Sequence, residues 1–301
     1  MKKSVAFKNG QLNMAGNLYL PEGFDEGKKY SGIVVVHPGG GVKEQTAGLY
    51  AQKLSEQGYV ALAYDASHQG ESEGEPRLLE DPYVRVEDVR SAVDYVTTLP
   101  FVDQEKIGAL GICAGGGYAV VAAETERRIK ALATVSAVDI GAMFREETGS
   151  IEAQLQTLEA VAKQRTAEAN GAESVFQNYV PDSPEAFDEH TPSYLRERYE
   201  YYRTPRAQHP NSSNRFLLTS VDKILSFSAI DEKIRTFLTQ PLLIIAGTEA
   251  EDTRDYSKQV FELSNGSKEL FWVEGATHIS LYDKDVDRAV PKLTEFFGNN
   301  L

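Results

Sequence analysis

The chain of 301 residues holds a single cysteine. One cysteine cannot close an intrachain disulfide, so nothing adapts the fold to an oxidising compartment, and the stapled scaffolds of small secreted proteins are excluded. Positive charge is also scarce, with 31 lysines and arginines against 45 aspartates and glutamates and a formal net charge of -14. That sign opposes a phosphate backbone or an anionic bilayer surface, so neither nucleic acid nor membrane is an expected partner. Long apolar runs are missing as well. No stretch approaches the ~20 apolar residues of a membrane span, and the opening MKKSVAFKNGQLNMAGNLYLPEG lacks the apolar core of a signal peptide. The cytoplasm is therefore the expected compartment. There is no repeat of fixed period, no low-complexity tract and no cysteine–histidine spacing of a metal site, so no metal and no cofactor are expected.

What is present is ordinary globular material: 41% hydrophobic and 25% charged residues. Apolar, β-branched runs alternate with helical segments, which argues for an α/β fold with a mostly parallel sheet covered on both faces. The clearest strands are GIVVVH (32–37), YVALAYDA (59–66), KIGALGI (106–112), IKALATVSA (129–137), PLLIIAG (241–247) and ELFWVEG (269–275). TAGLYAQKLSEQG, VEDVRSAVDYVTTL and GGGYAVVAAETE read as helices between them, the first closed by Gly58. VDRAVPKLTEFF reads as the last helix, with Pro291 expected at its start or at a kink. Asn9-Gly10 marks the turn of an opening antiparallel hairpin.

From about residue 140 to 235 the rhythm breaks into amphipathic helix and polar, aromatic loop. An excursion of that length is expected to be an accessory cap, because structureless loops beyond ~15 residues are uncommon in compact domains. The expected organisation is a core of residues 1–139 and 236–301 with a helical cap insertion, 140–235. A solvated excursion without function is the alternative.

The cysteine lies inside KIGALGICAGGGYAV. Gly111-Ile112-Cys113-Ala114-Gly115 fits G-x-C-x-G, a nucleophile elbow with sulfur in place of oxygen, and it follows a strand and precedes a helix as that turn requires. Small flanking residues permit the close backbone approach, and a helix N-terminus favours thiolate. A small buried hydrophobe is the plainer reading of a free cysteine.

A thiol nucleophile needs a base, and His278 stands just beyond the last strand in VEGATHISLYD. HPGGGVKEQT resembles a glycine loop that donates one oxyanion amide, the other coming from the residue after the nucleophile. The candidate donors are Ala114 with one of Gly40, Gly41 or Val42. His37 at the end of its strand and Glu44 behind the loop are candidate substrate contacts, as are Tyr202 and Arg203 of YEYYRTPR, where Tyr201 and Arg206 also stand. An arginine there could clamp a substrate carboxylate, or these side chains are simply cap surface. The third group, normally an acid after the penultimate strand, is ambiguous in IIAGTEAEDTRDYS: Glu249 first, then Asp252, or no acid at all.

Taken together, HPGGGVKEQTAGLYA, AYDASHQGESEGEPR, IGALGICAGGGYA, TVSAVDIG, YYRTPRAQ and VEGATHISLYD give a chain that resembles the dienelactone-hydrolase-like branch of the α/β-hydrolases, and within it the bacterial YcjY-type proteins. The resemblance spans nearly the whole chain. It implies an eight-stranded α/β-hydrolase sheet and hydrolysis of an ester, lactone or thioester, with Cys113 matching the nucleophile, His278 the base and Ala114 an oxyanion amide. The acid does not carry over, and the insertion is longer than in the small dienelactone hydrolases, so the acyl group is not inherited.

The expected activity is thus hydrolysis of a small-molecule acyl substrate through an acyl-cysteine. The other readings are a non-catalytic small-molecule binder on the same fold, an acyltransferase with a non-water acceptor, and a redox role for Cys113, against which stands the lack of a second cysteine to resolve an oxidised one. A homo-oligomer is left open.

Overall fold

A computed structural model describes residues 1–301. Its strands are β1 (Lys2–Asn9), β2 (Leu12–Tyr19), β3 (Tyr30–Val36), β4 (Val60–Tyr64), β5 (Val102–Ile112), β6 (Ile129–Val135), β7 (Phe176–Asn178), β8 (Arg215–Leu217), β9 (Leu242–Gly247) and β10 (Lys268–Val273). Eight of them form one sheet in the order β1-β2-β4-β3-β5-β6-β9-β10, while β7 and β8 pair separately as a short antiparallel ribbon. The opening hairpin turns at Gly10, whose φ of 56° is the left-handed conformation such a turn needs. β1–β2 and β2–β4 are antiparallel, and every other pairing in the large sheet is parallel. This is the α/β-hydrolase architecture.

The parallel strands are apolar on both faces because both faces are covered. Along β3, Val34 and Val36 join one core cluster while Ile33 and Val35 join the other, the alternation of a pleated strand. On the first side lie α2 (Pro82–Thr98) and α3 (Ala114–Thr125), with α9 (Arg254–Leu263) reaching the same core through Val260. On the other lie α1 (Thr46–Glu56), which buries Tyr50 and Leu54, and α10 (Val286–Asn300), which buries Leu293 and Phe297. α2 starts where Asp81 accepts from the amides of Tyr83 and Val84 and Pro82 takes the first helical position. α10 differs from expectation in one respect: Pro291 lies inside it, on the exposed face, and the helix runs on. There water can satisfy the carbonyl that proline leaves unpaired.

Between β6 and β9 the chain leaves the sheet and carries α4 (Ile140–Thr148), α5 (Ile151–Ala169), α6 (Ser193–Arg203), α7 (Val221–Ser226), α8 (Lys233–Phe237) and the β7–β8 ribbon. The ribbon was not expected, since three residues are too few to show an alternating pattern. The two ends of this excursion are joined by Asp139. One of its oxygens caps α4 by accepting from the Ala142 amide at 2.9 Å, and the other accepts from the amides of Ala229 (2.9 Å) and Ile230 (3.0 Å). No helix of the molecule is long and apolar enough to cross a membrane.

The turn from β5 into α3 is closely packed. A Cβ on Gly111 would strike the Gly115 carbonyl and the Gly116 Cα, and one on Gly115 would strike the carbonyls of Val36 and His37 at the end of β3. Backbone oxygens held in a sheet cannot yield as a side chain can. Gly115→Ala is therefore expected to cost about 3 kcal/mol of stability, the upper end of ordinary overpacking. Urea denaturation measures it, and a variant as stable as the parent would show that β3 and the turn separate freely.

Candidate active site

Cys113 sits on that turn with φ 56° and ψ -126°, a conformation unfavourable to any residue with a side chain. Three hydrogen bonds hold it there. Its amide donates to the Val135 carbonyl (3.0 Å), and its own carbonyl accepts from the amides of Gly116 (2.8 Å) and Val138 (3.0 Å). The effect is to lift the side chain off the carboxyl edge of the sheet into a cavity of about 50 Å³. The core supplies Gly39, Ala114, His278, Ile279 and Tyr282 to its wall; the excursion supplies Ile140, Met143, Tyr179, Val180, Arg198 and Tyr202. A larger groove, about 910 Å³, lies between the hairpin and α1, but no cysteine or histidine lines it.

His278 is buried, at 2% exposure, in the loop after β10. Its Nδ1 lies 2.7 Å from the Thr253 hydroxyl and its Nε2 3.0 Å from the Tyr282 hydroxyl. Burial pushes the Cys113 thiol up, yet the charge and hydrogen bond of His278, the Tyr282 hydroxyl and the Arg198 charge together hold it below its ordinary value. That lowering favours the thiolate, the form in which a cysteine can act as a nucleophile.

The expected acids are not at His278. Glu249 is exposed, and Asp252 spends its carboxylate on Arg198 at 2.7 Å. The correction is Thr253, which stands at the N-cap of α9 and takes the position a carboxylate would occupy. A threonine carries no charge to flag it among so many acids, and only its place beside Asp252 could have pointed to it.

The glycine loop also needs correcting. The Gly41 amide donates to the Pro38 carbonyl (3.2 Å) and the Val42 amide to Gln45 Oε1 (3.1 Å), so neither is free. Gly40 is fixed through its carbonyl, which accepts from Ser212 and Asn214, both at 2.8 Å. Its amide has no protein partner, but Gly39 is the residue of this loop that lines the cavity. Ala114 faces it from the first turn of α3, where helix amides have no intrahelical acceptor.

The remaining candidates divide. Tyr202 lines the cavity. Arg203 does not; it turns to Asp182 (2.9 Å) and the Val180 carbonyl. Arg198, one helical turn before Tyr202 and so on the same face of α6, was missed and lines the wall instead. Arg206 forks onto Asp283 at 2.7 and 2.8 Å, and Tyr201 is buried against Tyr282. His37 is no substrate contact: it is fully buried, its Nδ1 2.7 Å from the Pro38 carbonyl while its Nε2 accepts from the Ala66 amide (3.1 Å). Burial and the Arg85 charge hold its pKa well below the ordinary value, which keeps it a neutral strut. Glu44 lies 2.7 Å from Lys43 Nζ, away from the sulfur. The structure brings together no group of three or more His, Cys, Asp or Glu side chains that could hold a metal ion.

Comparison with known proteins places this geometry. The family model of the dienelactone hydrolase family matches residues 14–139. The chain is similar to Uncharacterized protein YcjY of Escherichia coli (strain K12), 43% identical over 311 residues and covering 100% of both chains. It superposes on the crystal structure of hypothetical protein PA2218 from Pseudomonas aeruginosa with a TM-score of 0.91 at 31% identity, covering 100% of this chain and 94% of that one. It is also 28% identical to Thiohydrolase aneE of Aspergillus aculeatus, over 90% of this chain and 84% of that protein.

The difference between threonine and acid is measurable without a substrate. Thr253→Val leaves a buried imidazole nitrogen unpaired and is expected to cost about 1–3 kcal/mol. Glu249→Gln, on the surface, is expected to stay within about 0.5 kcal/mol of the parent. Chemical denaturation of both distinguishes them; equal stabilities would contradict the placement of Thr253.

Proposed function

The chain belongs to the dienelactone hydrolase family of α/β-hydrolases, and from that premise we propose that it cleaves a carboxylic ester, lactone or thioester through an acyl-cysteine intermediate. The observation that carries the proposal is the strained Cys113 at the carboxyl edge of the sheet, lining one cavity with His278.

In this reaction the Cys113 thiolate attacks the acyl carbon. The carbonyl oxygen takes on negative charge in the water-poor space between Ala114 and the Gly39–Gly40 turn, where free amides can meet it without reorganising. As the carbon–oxygen or carbon–sulfur bond to the leaving group breaks, His278 Nε2 gives that group its proton. The imidazole, now neutral, takes a proton from water as the water adds to the acyl-cysteine; collapse releases the carboxylic acid and returns thiolate and imidazolium. Thr253 fixes the ring through Nδ1 but contributes no negative charge. A serine in place of the cysteine would need that charge to stabilise the imidazolium formed on proton transfer. Sulfur needs less, because a thiol gives up its proton more readily than an alcohol.

The acyl side is met by Ile140, Met143, Val180 and Tyr202, an apolar wall with one cation, Arg198. The name of the Aspergillus aculeatus relative favours thioesters among the donor classes. A cavity of about 50 Å³ is far below the ~300 Å³ at which small-molecule sites begin, so admission of substrate requires α6 to move. The ties that would have to yield are Arg198–Asp252, Arg206–Asp283 and the Thr277 hydroxyl donating to Glu197 at 2.6 Å.

The test is turnover of a panel of p-nitrophenyl esters, acyl thioesters and lactones by parent, Cys113→Ala and Cys113→Ser. Parent activity is expected to vanish in the alanine variant and to fall by about 10³-fold or more in the serine variant, the scale on which triad members act. An acyl adduct on Cys113 is expected in mass spectra of the parent quenched during turnover. Activity that survives Cys113→Ala overturns the proposal.

A further inference from the structure

Tyr282 was not among the expected site residues, yet its hydroxyl occupies the one position from which a side chain can reach both reacting groups. It closes the short turn Ser280–Tyr282, four residues after His278, and is 1% exposed. Its ring is clamped edge-on by Tyr201 (centroids 5.2 Å, interplanar angle 82°) and Tyr202 (6.4 Å, 82°). The hydroxyl is thereby set 3.0 Å from His278 Nε2, on the wall of the cavity that holds the sulfur. A phenylalanine would keep those ring contacts. Placing a hydroxyl in a largely apolar wall costs desolvation unless it is hydrogen-bonded; here it bonds to His278 and shares the cavity with the Cys113 sulfur.

We propose that the Tyr282 hydroxyl is a positioning and thiolate-stabilising group of the site, accepting from His278 Nε2–H and donating its own hydrogen to the Cys113 sulfur beside the imidazole. This rests on the acyl-cysteine reading above, and it answers a deficit in that reading. In place of an acid, Thr253 offers Nδ1 only a neutral hydroxyl, so the imidazolium partner of the thiolate is less stabilised than in a triad with a carboxylate. A second donor on the sulfur side makes up for a missing acceptor on the ring side, because either one favours the charged pair. Burial and the nearby Cys113 charge push the Tyr282 phenol well above its ordinary pKa, so it stays protonated and acts as donor rather than base.

Other groups act on the same sulfur. From the elements packed around it, Cys113 faces His278 and Tyr282 on the loop after β10, Arg198 and Tyr202 on α6, and Tyr179 just after β7. Arg198 is itself faced by Asp252 and Glu147. The imidazole and Arg198 remain in a Tyr282→Phe variant, so the thiolate loses one support of several.

Because Cys113 is the sole cysteine, its alkylation by iodoacetamide reports its ionisation without any substrate. Rates are followed by intact mass across pH 4 to 10 for parent and Tyr282→Phe. The expected result is a midpoint raised by about one pH unit, which slows alkylation on the acid limb roughly tenfold, with the same plateau at high pH. A common plateau shows that the sulfur is equally reachable, so packing alone cannot produce the shift. Coincident profiles overturn the proposal. Should Tyr282→Phe fail to fold, 3-fluorotyrosine at position 282 keeps the shape and makes a stronger donor; it should lower the midpoint, and an unmoved midpoint overturns the proposal equally. If Cys113→Ala retains ester or thioester turnover, the acyl-cysteine reading fails by itself, while the alkylation profiles still decide what Tyr282 does to the sulfur.

Discussion

Cys113 holds a backbone conformation that an L-residue adopts only under constraint, and the constraint is spread over three parts of the molecule. Gly111 and Gly115 must lack side chains because β3 and α3 approach too closely for a Cβ. Val135, at the end of β6, accepts from the Cys113 amide, and Val138, just past it, donates to the Cys113 carbonyl. Strain of this kind costs of order 1–3 kcal/mol per residue and persists only where the surroundings over-determine it. Here the surroundings are the central strands β3, β5 and β6, all buried where they reach the turn. A site placed on these strands inherits their rigidity, which is what a sulfur that must meet a fixed imidazole needs.

Behind the glycine loop lies a second constraint, polar rather than steric. Arg85 is buried with Glu80; its guanidinium donates to the His37 carbonyl (2.7 Å) and stacks at 4.8 Å over Tyr118, whose hydroxyl donates to Glu80 (2.6 Å). Such pairs are weak contributors to net stability and strong determinants of geometry, since losing one member strands the other in a low-dielectric interior. The network pins His37, and through it the turn at Gly39 and Gly40. From the opposite side Ser212 and Asn214 of the excursion seize the Gly40 carbonyl. The amides that face the cavity are therefore set by residues far away in the chain.

That distance explains what could be read from the sequence. The parallel sheet was legible because buried strands must be apolar along their length, and GIVVVH and PLLIIAG say so without any partner. The elbow was legible because its need for small residues is local, between Gly111 and Gly115. What could not be read depends on phase or on partners far along the chain. Whether Arg198 or Arg203 faces the sulfur depends on how α6 is rotated, and a helix with arginines and tyrosines on several faces does not declare that. Whether the Val42 amide is free depends on Gln45, whose side chain also donates to the Ala207 carbonyl across the excursion. Thr253 was not legible because a hydroxyl at Nδ1 carries no charge to set it apart among the neighbouring acids.

The absence of a carboxylate at His278 is consistent with the choice of sulfur rather than a defect beside it. In a serine enzyme the acid stabilises an imidazolium that exists only during reaction, and without it the proton has no reason to leave the hydroxyl. A thiol is acidic enough that modest local support moves the proton in advance. Here the support comes from the histidine, from Arg198 and from a phenol, none of them anionic. The acids nearby are kept from Nδ1: Asp252 is neutralised by Arg198, and Glu249 points to water. A carboxylate at Nδ1 would stabilise the imidazolium further, but it would also make that ion a weaker acid toward the leaving group. For an alkoxide leaving group, which must take a proton as it departs, a ring held by a neutral hydroxyl gives its proton up more readily. A neutral hydroxyl at Nδ1 and a sulfur across the ring therefore fit together, because a thiol asks less of an imidazole than an alcohol would.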